Sequence, residues 1–169
     1  MLTLAIDTAT AACSVALFDG DVIVATVREA VGRGHAERLV PMIASLPGGG
    51  RAEHILVDVG PGSFTGIRVG VAAARGLRLG WGAQVTGYSS LACVAAAGFA
   101  ADPSLRDPLA VLLEGGHGEV FMQVFAPDPL HPVGDLASLS PAAARERLGD
   151  GRATGDGLRW LGEDPRTAP

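Results

Sequence analysis

Residues 59–66, Val-Gly-Pro-Gly-Ser-Phe-Thr-Gly, constrain this chain of 169 residues more than any other stretch. An apolar run, Ile55-Leu56-Val57, enters it and reads as a short buried strand. A helix over residues 64–79 leaves it. Gly60 and Gly62 supply positive φ or room for close backbone approach, and Pro61 fixes the turn between them. Ser63 falls where an N-cap belongs. Two readings compete for the turn. One is a tight strand-to-helix connection; the other is a phosphate cradle, because backbone amides at a helix start form an anion site. A Walker P-loop is excluded, since it needs a Lys beside Ser/Thr at the helix start. The chain has no Lys; all 13 of its cationic side chains are Arg. Schiff-base and Lys-base chemistry are excluded with it.

The helix carries a second message. Gly66, Gly70, Ala73 and Ala74 repeat at three- and four-residue spacing, so one face is almost bare of side chains. Gly inside a helix costs about 0.5–1 kcal/mol relative to Ala, so two of them imply a packing reason: another helix approaching that face. Spacing alone leaves open whether it belongs to this chain or another. With 48% apolar residues the chain can bury a real core. No apolar run is long enough to span a bilayer, and no basic segment precedes the first apolar run, so the start does not read as a signal peptide. A net charge of −5 argues against a fold-wide basic patch for RNA, leaving a local Arg cluster as the alternative. Two distant cysteines, Cys13 and Cys93, read as reduced core thiols in a cytosolic protein.

Taken in order, residues 2–6 alternate as a strand, Asp7-Thr8-Ala9-Thr10 form a polar turn, and residues 13–18 and a run from Asp21 or Val22 to Arg28 are strands joined at Asp19-Gly20, a strong hairpin signal. Residues 35–46 have helical spacing, with Pro41 expected to kink the helix or follow a short first turn; Pro47-Gly48-Gly49-Gly50 reads as a mobile loop. After the strand at 55–58, the Gly-rich turn and the long helix come a strand at 84–86 and an Ala-rich helix at 89–97, capped by Ser89 or Ser90. Asp102-Pro103-Ser104 and Asp107-Pro108 mark a boundary between residues 1–102 and 103–169. Strands at 109–113 and 119–125 follow, then a short helix opened by Ser140-Pro141, a short strand at 152–154 and a frayed tail from Gly162. The pattern is α/β with mixed sheets, the second sheet begun and not finished.

Candidate chemistry is sparse. Asp7, with Thr8 beside it, stands where a nucleotide fold places its phosphate-and-magnesium carboxylate; an Asx-turn is the even alternative. Ala9 occupies a place where a phosphate loop prefers Gly. His35 and Glu37 are two apart and point to different faces, and the four His, at 35, 54, 117 and 131, are scattered. No converging zinc ligands are expected, and His35 reads as a surface or N-cap residue. Ser63 lacks the G-x-S-x-G elbow of a nucleophile, so capping is its expected role. Glu114 and Glu119 read as solvated loop carboxylates, and Arg68, Arg75 and Arg78 as a solvated stripe, with a contact to an acidic partner or phosphate as the minority reading.

Together, residues 4–10 (Leu-Ala-Ile-Asp-Thr-Ala-Thr), 13–17 (Cys-Ser-Val-Ala-Leu), 35–41 (His-Ala-Glu-Arg-Leu-Val-Pro) and 60–70 (Gly-Pro-Gly-Ser-Phe-Thr-Gly-Ile-Arg-Val-Gly) resemble the TsaB/YeaZ family, and Thr154-Gly155-Asp156-Gly157 continues the likeness. The resemblance implies an actin-like ATPase (ribonuclease H-like) fold with two duplicated α/β halves, the second incomplete here. It implies a non-catalytic scaffold in the synthesis of N6-threonylcarbamoyladenosine at position 37 of tRNA. Such a scaffold binds and activates the catalytic subunit TsaD, works with the ATPase subunit TsaE, meets tRNA only through the complex, self-pairs as a homodimer when alone, and is cytoplasmic with no membrane contact. The partner interface would fall on His35, Leu39, Met42, Ile43, Gly66, Gly70, Ala73 and Ala74. Weak ATP or ADP binding at a partner interface would use Asp7, Thr8, Gly60, Gly62 and Ser63, with no tightly bound cofactor and no metal. The metal-binding His pair of TsaD falls here on Ser90 and Val94, which cannot replace imidazoles. Where the family has Asp-Ala-Arg before its second hairpin, this chain has Glu114-Gly115-Gly116. The other class of reading is an active enzyme: an actin-like nucleotide phosphotransferase using Asp7, or a glycoprotease-like metallopeptidase.

Overall fold

The computed structural model describes residues 1–32 and 34–162. The frayed tail expected from Gly162 therefore lies almost wholly outside the described residues. Two compact units make up the chain, the first ending at Tyr88 and the second beginning at Ser89.

The first unit is built on five strands. β1 (Leu2–Asp7), β2 (Ala12–Asp19) and β3 (Val22–Ala30) form the expected antiparallel meander, and β4 (His54–Asp58) and β5 (Gln84–Tyr88) add in parallel, giving the order β3-β2-β1-β4-β5. Period-2 alternation puts Leu4, Ile6, Cys13, Val15, Leu17, Ile55 and Val57 on one face, where all are buried. Helices α1 (His35–Ser45) and α2 (Phe64–Trp81) cover that face and touch each other. Burying each Leu or Ile there stabilises the unit by about 1.5–3 kcal/mol. Pro41 lies inside α1 without dividing it. It sits on the exposed side of the helix. Pro47–Gly50, expected to be a mobile loop, is a 3-10 turn whose Gly50 is buried against Ile43.

The second unit opens with α3 (Ser90–Ala101), then β6 (Leu109–Glu114), β7 (Val120–Pro127), β8 (Leu130–Pro132), β9 (Ala137–Leu139), α4 (Pro141–Leu148) and β10 (Arg152–Thr154). The boundary expected after residue 102 moves back to Tyr88. The reason is packing: Leu91 and Ala95 of α3 join Val111 of β6 and Phe125 of β7 in one core cluster. The sheet order β10-β6-β7-β8, with β6 antiparallel to β7 and parallel to β10, repeats β4-β1-β2-β3 of the first unit. Among the described residues this sheet has no counterpart of β5. Ser140 caps α4 as its sequence implies, accepting from the Ala143 amide at 3.3 Å.

A candidate partner-binding surface and the turns beneath it

The stripe of small residues on α2 faces the sheet of its own unit. Gly66, Gly70 and Ala74 are buried. A Cβ on Gly70 would lie 2.5 Å from Thr8 Oγ1 and 3.5 Å from a Val57 methyl. A Cβ on Gly66 or Gly62 would run into the carbonyl of Thr8 or Ala9 respectively. The expectation that Gly70 lies between chains is therefore corrected: the bare face lets α2 drop onto β1, β4 and the β1–β2 turn. The same correction applies to the other buried residues of the expected interface, while Ala73 keeps part of its surface. His35, Leu39, Met42 and Ile43 form the inward stripe of α1, all at 5% exposure or less, and Ala73 is half-buried against the same core. A side chain enclosed by its own subunit has no surface to offer a second one.

The outward stripes are different residues on the same two helices. On α1, Ala36, Val40 and Ala44 are exposed; on α2, Thr65, Arg68, Ala72, Arg75 and Leu79 are exposed at spacings of three and four. Val40 is 57% and Leu79 87% exposed, and Arg68 lies over the Phe64 ring at 3.3 Å, a cation–π contact that fixes both at the start of α2. The sequence chose the faces of these two helices that turn inward. Apolar and small residues occur on both faces of α2, so periodicity alone did not separate them.

The nucleotide-loop residues do come together. Asp7 makes the Asx-turn, accepting the Ala9 amide at 2.9 Å. Thr8, fully buried, donates its hydroxyl to the Gly66 carbonyl at 2.7 Å. Asp58, also buried, accepts the Gly60 amide at 2.6 Å, and the Ser63 amide donates to the Ala9 carbonyl at 2.6 Å. Ser63 Oγ caps α2 by accepting from the Gly66 amide at 3.2 Å. The donors of Gly60, Ser63 and Gly66 are thus held by oxygens of the chain itself, and Gly62 and Gly66 sit directly on the carbonyls of the facing turn. Asp7, Thr8, Gly60, Gly62 and Ser63 meet where the two turns pack, with Gly62 directly on the Ala9 carbonyl.

His35 is not a surface residue. The residue is 5% exposed, and Nε2 lies 2.8 Å from the Thr10 carbonyl and 3.3 Å from that of Ala12. Both acceptors are carbonyls, so the ring carries its proton on Nε2. Cys13 is buried as expected, and burial pushes its thiol up from the ordinary value. Cys93 is exposed, against expectation, because α3 turns Leu91 and Ala95 inward instead.

The second unit repeats the docking of one turn on another. Gly155, at φ +108°, and Gly157 sit against the Leu112–Leu113 backbone, where a Cβ has no room. Asp156 Oδ1 accepts the Glu114 amide at 2.9 Å, and partial burial raises its carboxyl pKa, opposed by backbone amides at Asp156 and Gly157. Glu114 and Glu119 are exposed, as expected, and each also has a partner: Glu114 pairs with Arg159, and Glu119 accepts from Ser138 Oγ at 2.6 Å. Arg159 lies 45 residues from Glu114 in sequence, and no local pattern points to that pair. Ser90 is buried and Val94 half-buried on α3. Among the described residues no three His, Cys, Asp or Glu side chains converge to hold a metal ion, and no helix is long and apolar enough to cross a membrane.

Comparison with known proteins places this arrangement. The family model described as TsaD, tRNA N6-adenosine threonylcarbamoyltransferase, matches residues 22–126. The tRNA threonylcarbamoyladenosine biosynthesis protein TsaB of Escherichia coli is 34% identical over 159 residues, which is 88% of this chain and 66% of that protein. A Haemophilus influenzae protein of the same name is 39% identical over 57% of this chain and 42% of its own length. YeaZ from Pseudomonas aeruginosa superposes with a TM-score of 0.78 at 28% identity, covering 97% of this chain and 80% of that one. The chain belongs to the TsaB/YeaZ family. Its length spans less than two thirds of these two curated relatives. The ROK hexokinase of Thermus thermophilus, at a TM-score of 0.50 and 17% identity over 78% of this chain and 49% of its own, shares the fold alone. The expected actin-like ATPase fold is borne out, including the repeated strand order of its two halves.

Proposed function

We propose that this member of the family is a non-catalytic subunit in the synthesis of N6-threonylcarbamoyladenosine on tRNA, and that it holds a catalytic relative of the TsaD type on the outward faces of α1 and α2. The observation that carries the reading is the joint likeness to proteins named for that pathway: 34% identity to the E. coli TsaB protein, with a YeaZ fold over nearly the whole chain. The exposed small and apolar residues on two touching helices supply a surface suited to it. Helices with Ala36, Ala44 and Ala72 outward allow close approach of a second helix pair. When the catalytic relative is absent, the same face pairs with itself about a two-fold axis, since that symmetry reuses one patch. A TsaE-type ATPase subunit joins the assembly, tRNA is met through the complex, and the setting is cytoplasmic.

The deciding experiment is co-purification of the chain with the TsaD-type protein of its own organism, followed by a tRNA modification assay. Modification is expected only when both are present. A mixture in which the catalytic relative works equally well without this chain would sink the reading.

Nucleotide binding by the isolated chain is expected to be weak, because the amides of Gly60, Ser63 and Gly66 are held internally and no Lys supports the turn. Titration with ATP and Mg²⁺ checks this; a Kd of about 1 μM or below, near −8 kcal/mol, would contradict it. Turnover of ATP, or stoichiometric zinc or iron in the purified protein, would point to the enzyme reading instead.

A further inference from the structure

Four consecutive carbonyls of the β1–β2 turn bind three other parts of the first unit. Ala9 O accepts from the Ser63 amide at the start of α2 at 2.6 Å. Thr10 O and Ala12 O accept from His35 Nε2 at the start of α1. Ala11 O accepts from the amides of both Val31 and Gly32, each at 3.0 Å, in the connection that leads into α1. One residue earlier, the Thr8 hydroxyl ties the first turn of α2 to the same segment. The ends being held need such a tether. α1 starts at Gly34 with no side-chain cap and contains Pro41.

We infer that the β1–β2 turn is a shared anchor for α1 and α2, and that Thr8 and His35 are positioning residues for the surface those helices present to a partner. Neither residue can touch a partner, since they are 0% and 5% exposed. Each reaches the partner surface through the turn: Thr8 through α2, His35 through α1. A surface made of two helices is complementary to one shape only while their spacing is held, and preorganisation of this kind raises affinity without adding a contact.

The test uses the full chain and two measurements. Hydrogen exchange followed by mass spectrometry is read in wild type, Thr8→Val, Thr8→Ser and His35→Gln. Thr8 bonds to α2, so a local role would speed exchange in α2 alone; the shared anchor requires α1 to exchange about tenfold faster as well in Thr8→Val. Thr8→Ser keeps the hydroxyl and should exchange as wild type. Unchanged exchange in α1, or a Ser variant as perturbed as the Val variant, overturns the anchor. If Thr8→Val does not fold, His35→Gln gives the reciprocal reading: faster exchange in the first turn of α2 supports the anchor, and unchanged exchange there overturns it.

The second measurement is affinity for the TsaD-type protein, which rests on the function proposed above. Thr8→Val and His35→Gln are expected to raise Kd about tenfold, the scale of one lost buried hydrogen bond, at a temperature where circular dichroism is native, with Thr8→Ser within about twofold. Wild-type affinity in a folded Thr8→Val protein overturns the positioning role. Failure of the wild type itself to bind would count against the proposed function, while the exchange data still decide the anchor.

Discussion

Gly66→Ala is expected to destabilise the protein by more than about 3 kcal/mol, although Ala is the better helix former by about 1 kcal/mol. The added methyl would overlap the Thr8 carbonyl, a backbone atom that cannot rotate away. It would also push α2 off the Thr8 hydroxyl bond and the Ser63–Ala9 contact, so overpacking and lost buried hydrogen bonds add. Gly76→Ala on the same helix should do the opposite. Gly76 is exposed and a Cβ there meets nothing within 4 Å, so helix propensity acts alone and stability should rise by about 0.5–1 kcal/mol. Urea unfolding of both variants beside wild type, at matched slope, reads the two signs. A stabilised Gly66→Ala protein would show that α2 does not rest on the β1–β2 turn as described. Gly70→Leu belongs with Gly66→Ala: its effect should appear in the fold of the isolated chain.

The double variant Val40→Asp with Ala72→Arg is expected to weaken binding of the TsaD-type protein at least about 100-fold, close to 2.7 kcal/mol, while leaving the fold within about 1 kcal/mol. Both positions are exposed, and surface substitutions away from caps and strain are usually worth under about 0.5 kcal/mol each. At the centre of an interface the same changes place an unpaired carboxylate and a bulky guanidinium where a partner helix should pack. Truncations at such central positions commonly cost about 2–4 kcal/mol. Calorimetric titration, with thermal unfolding as the control, gives the answer. Wild-type affinity would move the interface off these two helices. Loss of self-association in the same variant would tie the homodimer to this face.

Much of the fold was legible because local and global signals agree in it. The alternation of residues 2–6 and 13–18, Asp19-Gly20 between strands, Ser63 at a cap and Ser140-Pro141 at a helix start each have one cheap conformation, and the structure adopts it. The short pairings at β8 and β9 were not legible. Leu130–Pro132 and Ala137–Leu139 contain Pro or too few residues for a period, and their pairing to β7 is a tertiary event. The candidate site divides the same way. Motif order brought together turns that do meet in the fold, and Ser63 was placed in its capping role. Which face of α2 meets the sheet depends on where the Thr8 and Ala9 carbonyls lie, about sixty residues away in sequence. His35 was misjudged for a related reason: a lone imidazole before a helix resembles a cap until the carbonyls of Thr10 and Ala12 are brought to it. Glu114 and Arg159 share that difficulty in the second unit.

The four bonded carbonyls also decide where the chain tolerates new sequence. A turn of a few polar residues between two strands is the usual place to graft an epitope or join new termini. Here one inserted residue between Thr8 and Ala12 would shift the acceptors of Ser63, His35 and the Val31–Gly32 amides at once. The Gly48–Gly49 step is the better choice: both residues are exposed with open space around them, and their positive φ, +62° and +68°, requires that the two glycines be kept to flank the insert. A fluorophore or affinity tag placed there would ride on the first unit without disturbing the anchor, and would report assembly from a position outside the exposed stripes of α1 and α2.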